Sequence, residues 1–559
     1  MDKIFRILGK EFRNINQAAL LLGVFALCSQ VLGLFRDRSI AHFIGPSAPL
    51  DIYYAAFRIP DLIFISIASL ASITALIPFI ARKMSGDKAT DDAKAFFKDI
   101  FTVFFSFLLI VSVFVFILMP YIVSLVAPGF SSEVQIKVIE LSRIMLLSPI
   151  FLGLSNLFGT ITQLFRKFFI FALSPIFYNL GIIFGVLFLY PIFGIKGVAF
   201  GVVLGAFLHF LIQVIASSRS GFKFKFSRSI NFKEIKKVIL VSLPRTLGLS
   251  LNNIALILII SFASFLKPGS ISVFNLSINL QSVPLGIIGL SYAVAAFPTL
   301  TRSFSSGKMN DFKNYLRSAA RQIVFWSIPV TFLFIVLRAQ IVRVILGSGN
   351  FSWENTRLVA ASLAVFSISI VAQGLIALFA RAYYAGGKTR KPLFINFVSS
   401  VSIVGFSYLF LFIFKSSLGF RYFVESLLKV SDIAGTEVLM LPLAYSLGTI
   451  INFSLLWIFI KKDFVKKEAF FMKTFFQSLG ASFFIGAIAY LSLNALSSVF
   501  GNQTFMGVFL QGFISGILGI SAGVVILYLL KNQELRDLIN ALRTKFWKAK
   551  VIVPSPEEL

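Results

Sequence analysis

Ionisable residues stand inside the first long apolar run of this sequence, where they could bind an anion. The stretch "VLGLFRDRSIAHFIG" (31–45) places Arg36, Asp37 and Arg38 near the end of that run. An ionisable residue inside a membrane costs about 2.5–3.5 kcal/mol on insertion scales, so it is normally paired or faces a water-filled cavity. Because arginine presents a rigid fork of donors that fits phosphate oxygens, Arg36 predicts a cavity that binds a phosphate group.

The second apolar run carries a further pair of opposite charges. In "LDIYYAAFRIPDLIF" (50–64), Asp51 and Arg58 are seven residues apart. Seven residues are about two helical turns, so the two side chains share a face. Together with Arg36, this cluster of charges in the first two spans suits a substrate with a phosphate head and an apolar tail. The alternative is a structural role, in which the arginines extend to the membrane interface or form ion pairs.

The composition is that of a membrane protein. Of the 559 residues, 57% are hydrophobic and only 13% are charged, and the mean hydropathy is +0.90. A soluble protein carries about a quarter charged residues. Apolar runs of about 18 residues or more indicate membrane-spanning helices. We therefore predict an all-α polytopic membrane protein with about 14 spans, at 18–38, 52–80, 99–119, 139–161, 169–190, 194–216, 237–263, 271–299, 316–337, 358–381, 393–414, 438–460, 474–495 and 506–530.

The basic residues indicate how the chain crosses the membrane. The formal net charge is +29, but the Lys and Arg residues concentrate in alternate loops. Segment 217–237 holds seven of them, whereas 494–505 holds none. By the positive-inside rule, this alternation favours an even number of spans with both termini cytoplasmic. The charge therefore predicts contacts with membrane lipids and no binding of nucleic acid.

The residues that most enzymes use are scarce in this sequence. Cys28 is the only cysteine, and the only two histidines, His42 and His209, are far apart. A cysteine metal cluster, a histidine metal site or a catalytic triad therefore has almost no material. We predict no metal site, no cofactor and no enzymatic activity.

Two motifs of the first half recur in the second half. The segments "SPIFYNL" (174–180) and "KPLFINF" (391–397) share Pro, Phe and Asn at the same spacing, and 75–98 resembles 295–317. The offset corresponds to six spans, which preserves orientation, so the two halves are related by a pseudo-twofold axis along the membrane normal. We predict two six-helix lobes, two added C-terminal spans and a basic amphipathic tail, at 1–217, 218–465, 466–532 and 533–559.

The motifs together resemble a known family. The segments concerned are "SQVLGLFRDRSIAHFIGPSAPLDIYYAAFRIPDLIF" (29–64), "VAPGF" (126–130), "LPRTLGLSLNNI" (243–254), "GSISVFNLSINLQSVPLGIIGLSYAVAAFPTLTRSF" (269–304), "IVRVILGSGNFSWENT" (341–356) and "ARAYYAGGKTRKP" (380–392). In this order they resemble the MurJ (MviN) lipid II flippases of the multidrug/oligosaccharidyl-lipid/polysaccharide exporter superfamily. The resemblance implies fourteen helices and movement of lipid II, the undecaprenyl-pyrophosphate-linked cell-wall precursor, to the outer leaflet.

The resemblance also implies site residues, and the chain departs from the family at several of them. The family's arginine–aspartate pair falls on Arg36 and Asp37, its span 2 acidic residue on Asp51, and a basic position on Arg58. An expected span 8 arginine is Asn279, and two further expected arginines are absent, at Gln30 and near Ile63 or Phe64. Compensation for the lost cations is expected from Arg58, Asn279 and Arg245, the last in "LPRTLG".

Several functions fit these observations. The first is a lipid II flippase that works by alternating access, with the polyprenyl tail in the groove of the last two spans and with cell-wall synthases as further partners. A flippase for another polyprenyl-phosphate-linked saccharide is favoured by the absent arginines. A non-transporting membrane scaffold of the cell-wall machinery is a third alternative, and an efflux pump for small cations is disfavoured by the excess of basic residues.

Overall fold

The structure, a computed structural model, describes residues 15–68, 73–84, 89–465, 470–501 and 504–547. Every regular element within these ranges is helical, and most of the helices are long and apolar. By length and composition, eleven of them could cross a membrane, or twelve if a pair bent by 45° counts as one span. The predicted class, an all-α polytopic membrane protein, is confirmed.

The twelve candidate spans coincide with predicted spans 3 to 14. The bent pair, Trp353–Ser367 and Ile370–Ala385, corresponds to span 10. Spans 1 and 2 fall on helices that this count does not include, namely Ile15–Phe43 and the pair Ala48–Ile63 and Ile73–Arg82. The total of fourteen therefore stays a prediction.

The helices pack in two compact units. The first contains residues up to Leu280, Ile345–Phe366 and Lys388–Asn452. Its helices are α1 (Ile15–Phe43), α2 (Ala48–Ile63), α3 (Ile73–Arg82), α4 (Asp91–Val126), α5 (Ser132–Met145), α6 (Leu147–Leu164), α7 (Phe168–Phe184), α8 (Tyr190–Phe193), α9 (Ile195–Ser218), α10 (Phe232–Ala263) and most of α11 (Ser270–Pro284).

The second unit contains Gln281–Val344, Ser367–Gly387 and the chain from Phe453 onward. Its helices are α12 (Ser291–Ser305), α13 (Met309–Val336), most of α14 (Arg338–Leu346), α16 (Ile370–Ala385), the end of α19 (Met440–Ile460), α20 (Met472–Ser497), α21 (Phe505–Leu529) and α22 (Gln533–Trp547). The first unit holds α15 (Trp353–Ser367) except its last residue, together with α17 (Arg390–Ser416), α18 (Leu418–Leu428) and the start of α19.

Helix α22 is bound to its own unit by an ion pair. Arg321 Nε of α13 lies 2.5 Å from the buried Glu534 Oε1, and Thr474 Oγ1 of α20 donates to the same oxygen at 2.9 Å. Residues 548–559 of the predicted tail lie outside the described residues. The predicted lobes at 1–217 and 218–465 stay predictions, because the two units follow packing rather than the sequence repeat.

Glycines allow α7 and α9 to approach each other closely. A Cβ added at Gly181 would lie 2.3 Å from Gly205 Cα, and one added at Gly205 would lie 2.4 Å from the Tyr178 carbonyl oxygen. Helices in membranes commonly associate through such small residues, because packing replaces the hydrophobic effect there. This crossing fixes the position of the α7 backbone next to Asn179, which the functional site uses.

We expect Gly205→Ala to destabilise the protein more than the same change at Gly405, where an added Cβ meets open space. The Gly205 Cβ would collide with backbone, so α7 and α9 must separate, at a cost of about 1–3 kcal/mol. Thermal denaturation in detergent measures the difference. Equal midpoints for the two variants would contradict the proposed role of the crossing.

Candidate functional site

The first unit contains a polar cavity of about 330 Å³ among its long helices. Helices α1, α2, α7 and α11 contribute most of its wall, and α6 adds Ser148 and Leu152. The charged and polar lining residues are Arg36, Asp37, Tyr53, Tyr54, Arg58, Asp61, Ser148, Tyr178, Asn275 and Asn279. Four predicted site residues, Arg36, Asp37, Arg58 and Asn279, are therefore brought together in one place.

Arg36 forms an ion pair with the residue that follows it. Its Nε and Nη2 donate to Asp37 Oδ1 at 2.9 and 2.8 Å, and its Nη1 donates to Asn179 Oδ1 at 3.1 Å. These bonds use three of the five guanidinium N–H groups, so the other two can bind a ligand. The Arg36 side chain keeps 24% of its surface exposed, whereas Asp37 keeps only 5%. The cation therefore faces the cavity, and the carboxylate lies behind it.

Asn279 completes the environment of Asp37. Its Nδ2 donates to Asp37 Oδ2 at 3.1 Å, so each carboxylate oxygen has a donor. This position is the one at which the resemblance implies an arginine. An amide supplies the hydrogen bond without a second cation, which leaves Arg36 as the charge that neutralises Asp37.

Arg58 enters the cavity from α2 and is only partly satisfied. Its Nη2 donates to Asn275 Oδ1. Within the part of the chain that the structure describes, Arg58 Nε and the Tyr54 hydroxyl are buried and have no hydrogen-bond partner. Buried polar atoms nearly always have partners, so two orphaned groups in one cavity indicate a place for a polar ligand or ordered water.

Asp51 has a different position from the one that the sequence suggests. Asp51 is buried and is not among the residues that line the cavity. Its Oδ2 accepts from the Gly269 backbone N–H at 2.6 Å, and its Oδ1 accepts from the Ser272 N–H and hydroxyl at 2.7 and 2.6 Å. The first turn of a helix has unpaired N–H groups and a partial positive charge, which a carboxylate stabilises. Asp51 therefore caps α11 and does not contact Arg58 directly.

Two asparagines of the site were not among the predicted residues. Asn179 holds Arg36 and is itself held by the Pro175 carbonyl oxygen at 3.1 Å. It belongs to the repeated motif "SPIFYNL", so the repeat was the available signal. Asn275 precedes Asn279 by one helical turn and shares its face, which is a second signal in the sequence.

Arg245 lies in α10, but its side chain is outside the described residues. Within the described ranges, no group of three or more His, Cys, Asp or Glu side chains is placed to hold a metal ion. The cavity itself contains two arginines and two aspartates, Asp37 and Asp61. Such a site can bind an anion through its two guanidinium groups while Asp37 keeps its own donors.

The long apolar helices and the polar cavity between them are those of a polytopic membrane protein. The chain is similar to a solved structure titled "Lipid II flippase MurJ, inward closed conformation", with a TM-score of 0.73 and 22% identity. The match extends over 93% of this chain and 100% of that one. An inward-facing MATE multidrug transporter of the MOP superfamily has a TM-score of 0.62 at 18% identity, over 81% of this chain and 99% of that one. At these identities the structures define the fold alone.

The sequence itself matches the family described as lipid II flippase MurJ over residues 40–512. The chain therefore belongs to the MurJ lipid II flippase family, which is a family of transporters and not of enzymes. A "Probable lipid II flippase MurJ" of Haemophilus influenzae is 28% identical over 404 residues, 68% of this chain and 78% of that protein. A "Lipid II flippase MurJ" of Burkholderia cenocepacia is 25% identical over 388 residues, 68% and 75% of the two chains.

We expect Asp51→Ala to destabilise the protein by about 2 kcal/mol or more, because buried N–H donors at the start of α11 lose a charged acceptor. Asp91→Ala is the control, since Asp91 is exposed and surface ion pairs contribute little. Thermal denaturation in detergent compares the two. A midpoint for Asp51→Ala as high as that of Asp91→Ala would refute the capping role.

Proposed function

We propose that this chain moves lipid II from the inner to the outer leaflet, with its pyrophosphate held by Arg36 and Arg58 in the cavity of the first unit. The observation that supports this most strongly is the position of the two guanidinium groups. Both line one cavity of the first unit. Arg58 Nε has no hydrogen-bond partner among the described residues, and Arg36 uses three of its five N–H groups. In a low-dielectric site such donors bind phosphate oxygens strongly.

The surrounding amides give the site its geometry. Asn179 and Asn275 each accept a hydrogen bond from one guanidinium group, so both forks are held in fixed orientations. Asn279 binds Asp37 and keeps that carboxylate away from the bound anion. Preorganised cations lose less entropy on binding than flexible ones, which favours a compact dianionic group such as a pyrophosphate.

Contacts at both ends of predicted span 2 support alternating access. At its start, Asp51 caps α11. Just after α3, Lys83 Nζ lies 3.0 Å from Asp92 Oδ2 and 3.1 Å from Glu234 Oε1 of α10. Its hydrogen bonds to these carboxylates raise the pKa of the Lys83 ammonium. We propose that one set of contacts breaks when the cavity opens to the corresponding side of the membrane.

The predicted lobes and the last two spans belong to this proposal. Transport would move the lobe 1–217 against the lobe 218–465, around the pseudo-twofold axis. Spans 13 and 14, within 466–532, would hold the polyprenyl tail along an apolar groove. Support comes from α20 and α21, which expose large apolar side chains such as Phe483, Leu491 and Phe513. A tail of many isoprene units requires such a surface.

We also propose a location in the bacterial inner membrane with both termini in the cytoplasm. The support is the distribution of Lys and Arg, which alternates between successive loops as the positive-inside rule requires. Other membrane lipids and cell-wall synthases are the further partners that we expect. The synthases would consume the lipid after its transfer to the outer leaflet.

A second candidate is transport of another polyprenyl-phosphate-linked saccharide. The observation that favours it is Asn279, an uncharged residue in a wall where the resemblance implies an arginine. The two arginines of the cavity are balanced by two aspartates, Asp37 and Asp61, so the wall has no net positive charge. A substrate with a smaller negative charge, such as a monophosphate diester, would suit that balance better than a pyrophosphate.

Complementation tests the proposal. In a bacterium depleted of its lipid II flippase, we expect this chain to restore lipid II at the outer leaflet. We expect Arg36→Ala to reduce the restored amount of exposed lipid II about tenfold or more, because a charged hydrogen-bonding group contributes about 1.5–3 kcal/mol. Lipid II at the cell surface is measured by cleavage with an externally added enzyme. Protein levels in the membrane are measured in parallel.

Arg143→Ala is the matched control, because Arg143 is an arginine at the end of α5 that does not line the cavity. It should restore exposure as well as the unchanged chain. Full activity of Arg36→Ala would refute the pyrophosphate-binding role. A well-inserted chain that restores nothing would favour the second candidate or the scaffold alternative.

A further inference from the structure

The loop between α17 and α19 contains a helix with an unusual surface. Helix α18 (Leu418–Leu428) starts two residues after Ser416, the last residue of the candidate span α17. Four of its large side chains are directed outward: Leu418, Tyr422, Phe423 and Leu427 keep 81, 70, 62 and 65% of their surface exposed.

The two charged residues of α18, Arg421 and the buried Glu425, pair with each other beside this surface. Arg421 Nε donates to Glu425 Oε1 at 2.9 Å, and the Arg421 guanidinium lies 5.8 Å from the centre of the Phe414 ring. Glu425 is buried and also accepts from the Thr436 hydroxyl at 2.6 Å. Within this helix, the face formed by Leu418, Gly419, Tyr422, Phe423, Ser426 and Leu427 carries no charge. A helix in water has the reverse arrangement.

We propose that α18 binds the lipid surface of the bilayer, at the leaflet where α17 ends, with this uncharged face buried in the interface. The position supports the proposal, because a helix that follows a span after one connecting residue must lie at membrane level. The composition supports it as well, since tyrosine and phenylalanine are enriched or stable at the interface between lipid and water. Exposed Lys415, just before α18, is placed to meet lipid phosphates.

The loop after α18 connects this surface to the helices of the cavity. Arg357 of α15 binds Asp432 through two hydrogen bonds of 2.6 and 2.5 Å, and Arg357 also holds the pKa of the Asp432 carboxyl below its usual range. Gly435, at φ +91°, lies next to the side chain of Lys267. Lys267 is two residues before Gly269, whose backbone N–H donates a hydrogen bond to Asp51. Lipid bound at α18 therefore holds a loop that packs on the turn preceding α11.

Depth-dependent quenching in liposomes tests the proposal with the full chain. Cys28 is the only cysteine, so Cys28→Ser gives a background for single labels. Phe423→Cys carries an environment-sensitive fluorophore, and Ser431→Cys, at an exposed loop position beyond the helix, is the control. The liposomes contain phosphatidylcholine and phosphatidylglycerol, with a nitroxide either near the headgroup or near the end of the acyl chain.

For an interfacial helix, we expect a nitroxide near the headgroup to quench the label at 423 about threefold more than the label at 431. We expect aqueous iodide to quench the label at 431 more than the label at 423. Tyr422→Cys is a second label on the same face and should behave like 423. Equal iodide quenching at 423 and 431 would overturn the proposal. Protection at 423 from both quenchers would also overturn it, because the face would then be covered by another protein or a second copy of the chain.

Discussion

The ion pair between Arg36 and Asp37 is the interaction on which the rest of the site depends. A lone arginine inside a membrane would be costly, and a paired one would normally be neutralised and hidden. Here the carboxylate is buried and the guanidinium is partly exposed to the cavity. Asn179 and Asn279 then bind the two members of the pair separately. The result is a cation that is stable in the membrane and still has donors for a ligand.

This arrangement explains why the neighbouring helices are positioned as they are. Asn179 reaches Arg36 from α7, which packs on α9 through glycines that leave no room for a side chain. Asn275 and Asn279 face the cavity from α11, whose first turn Asp51 caps. Helix packing and helix capping, which are stability features, therefore determine the geometry with which a phosphate would be bound.

The sequence predicted the helical class, the position of most spans and four residues of the cavity, because hydropathy and misplaced charges depend on local composition. It did not predict the partners of those charges. Asp51 and Arg58 share a helical face, yet Asp51 is bound by the α11 N-terminus, a contact 218 residues away in the chain. Asn179 and Asn275 were missed for the same reason: an uncharged polar residue in a span is common, and only the fold shows which one meets an arginine.

We propose that the two guanidinium groups of the cavity recognise a diphosphate. The most direct test measures the affinity of the purified chain for undecaprenyl pyrophosphate and for undecaprenyl phosphate, in the unchanged protein and in the double variant Arg36→Ala, Arg58→Ala. The account predicts that the diphosphate binds about tenfold more tightly, and that the double variant loses this preference. Equal affinity for the two lipids in the unchanged protein would contradict it, and the cavity would then bind a different part of the substrate.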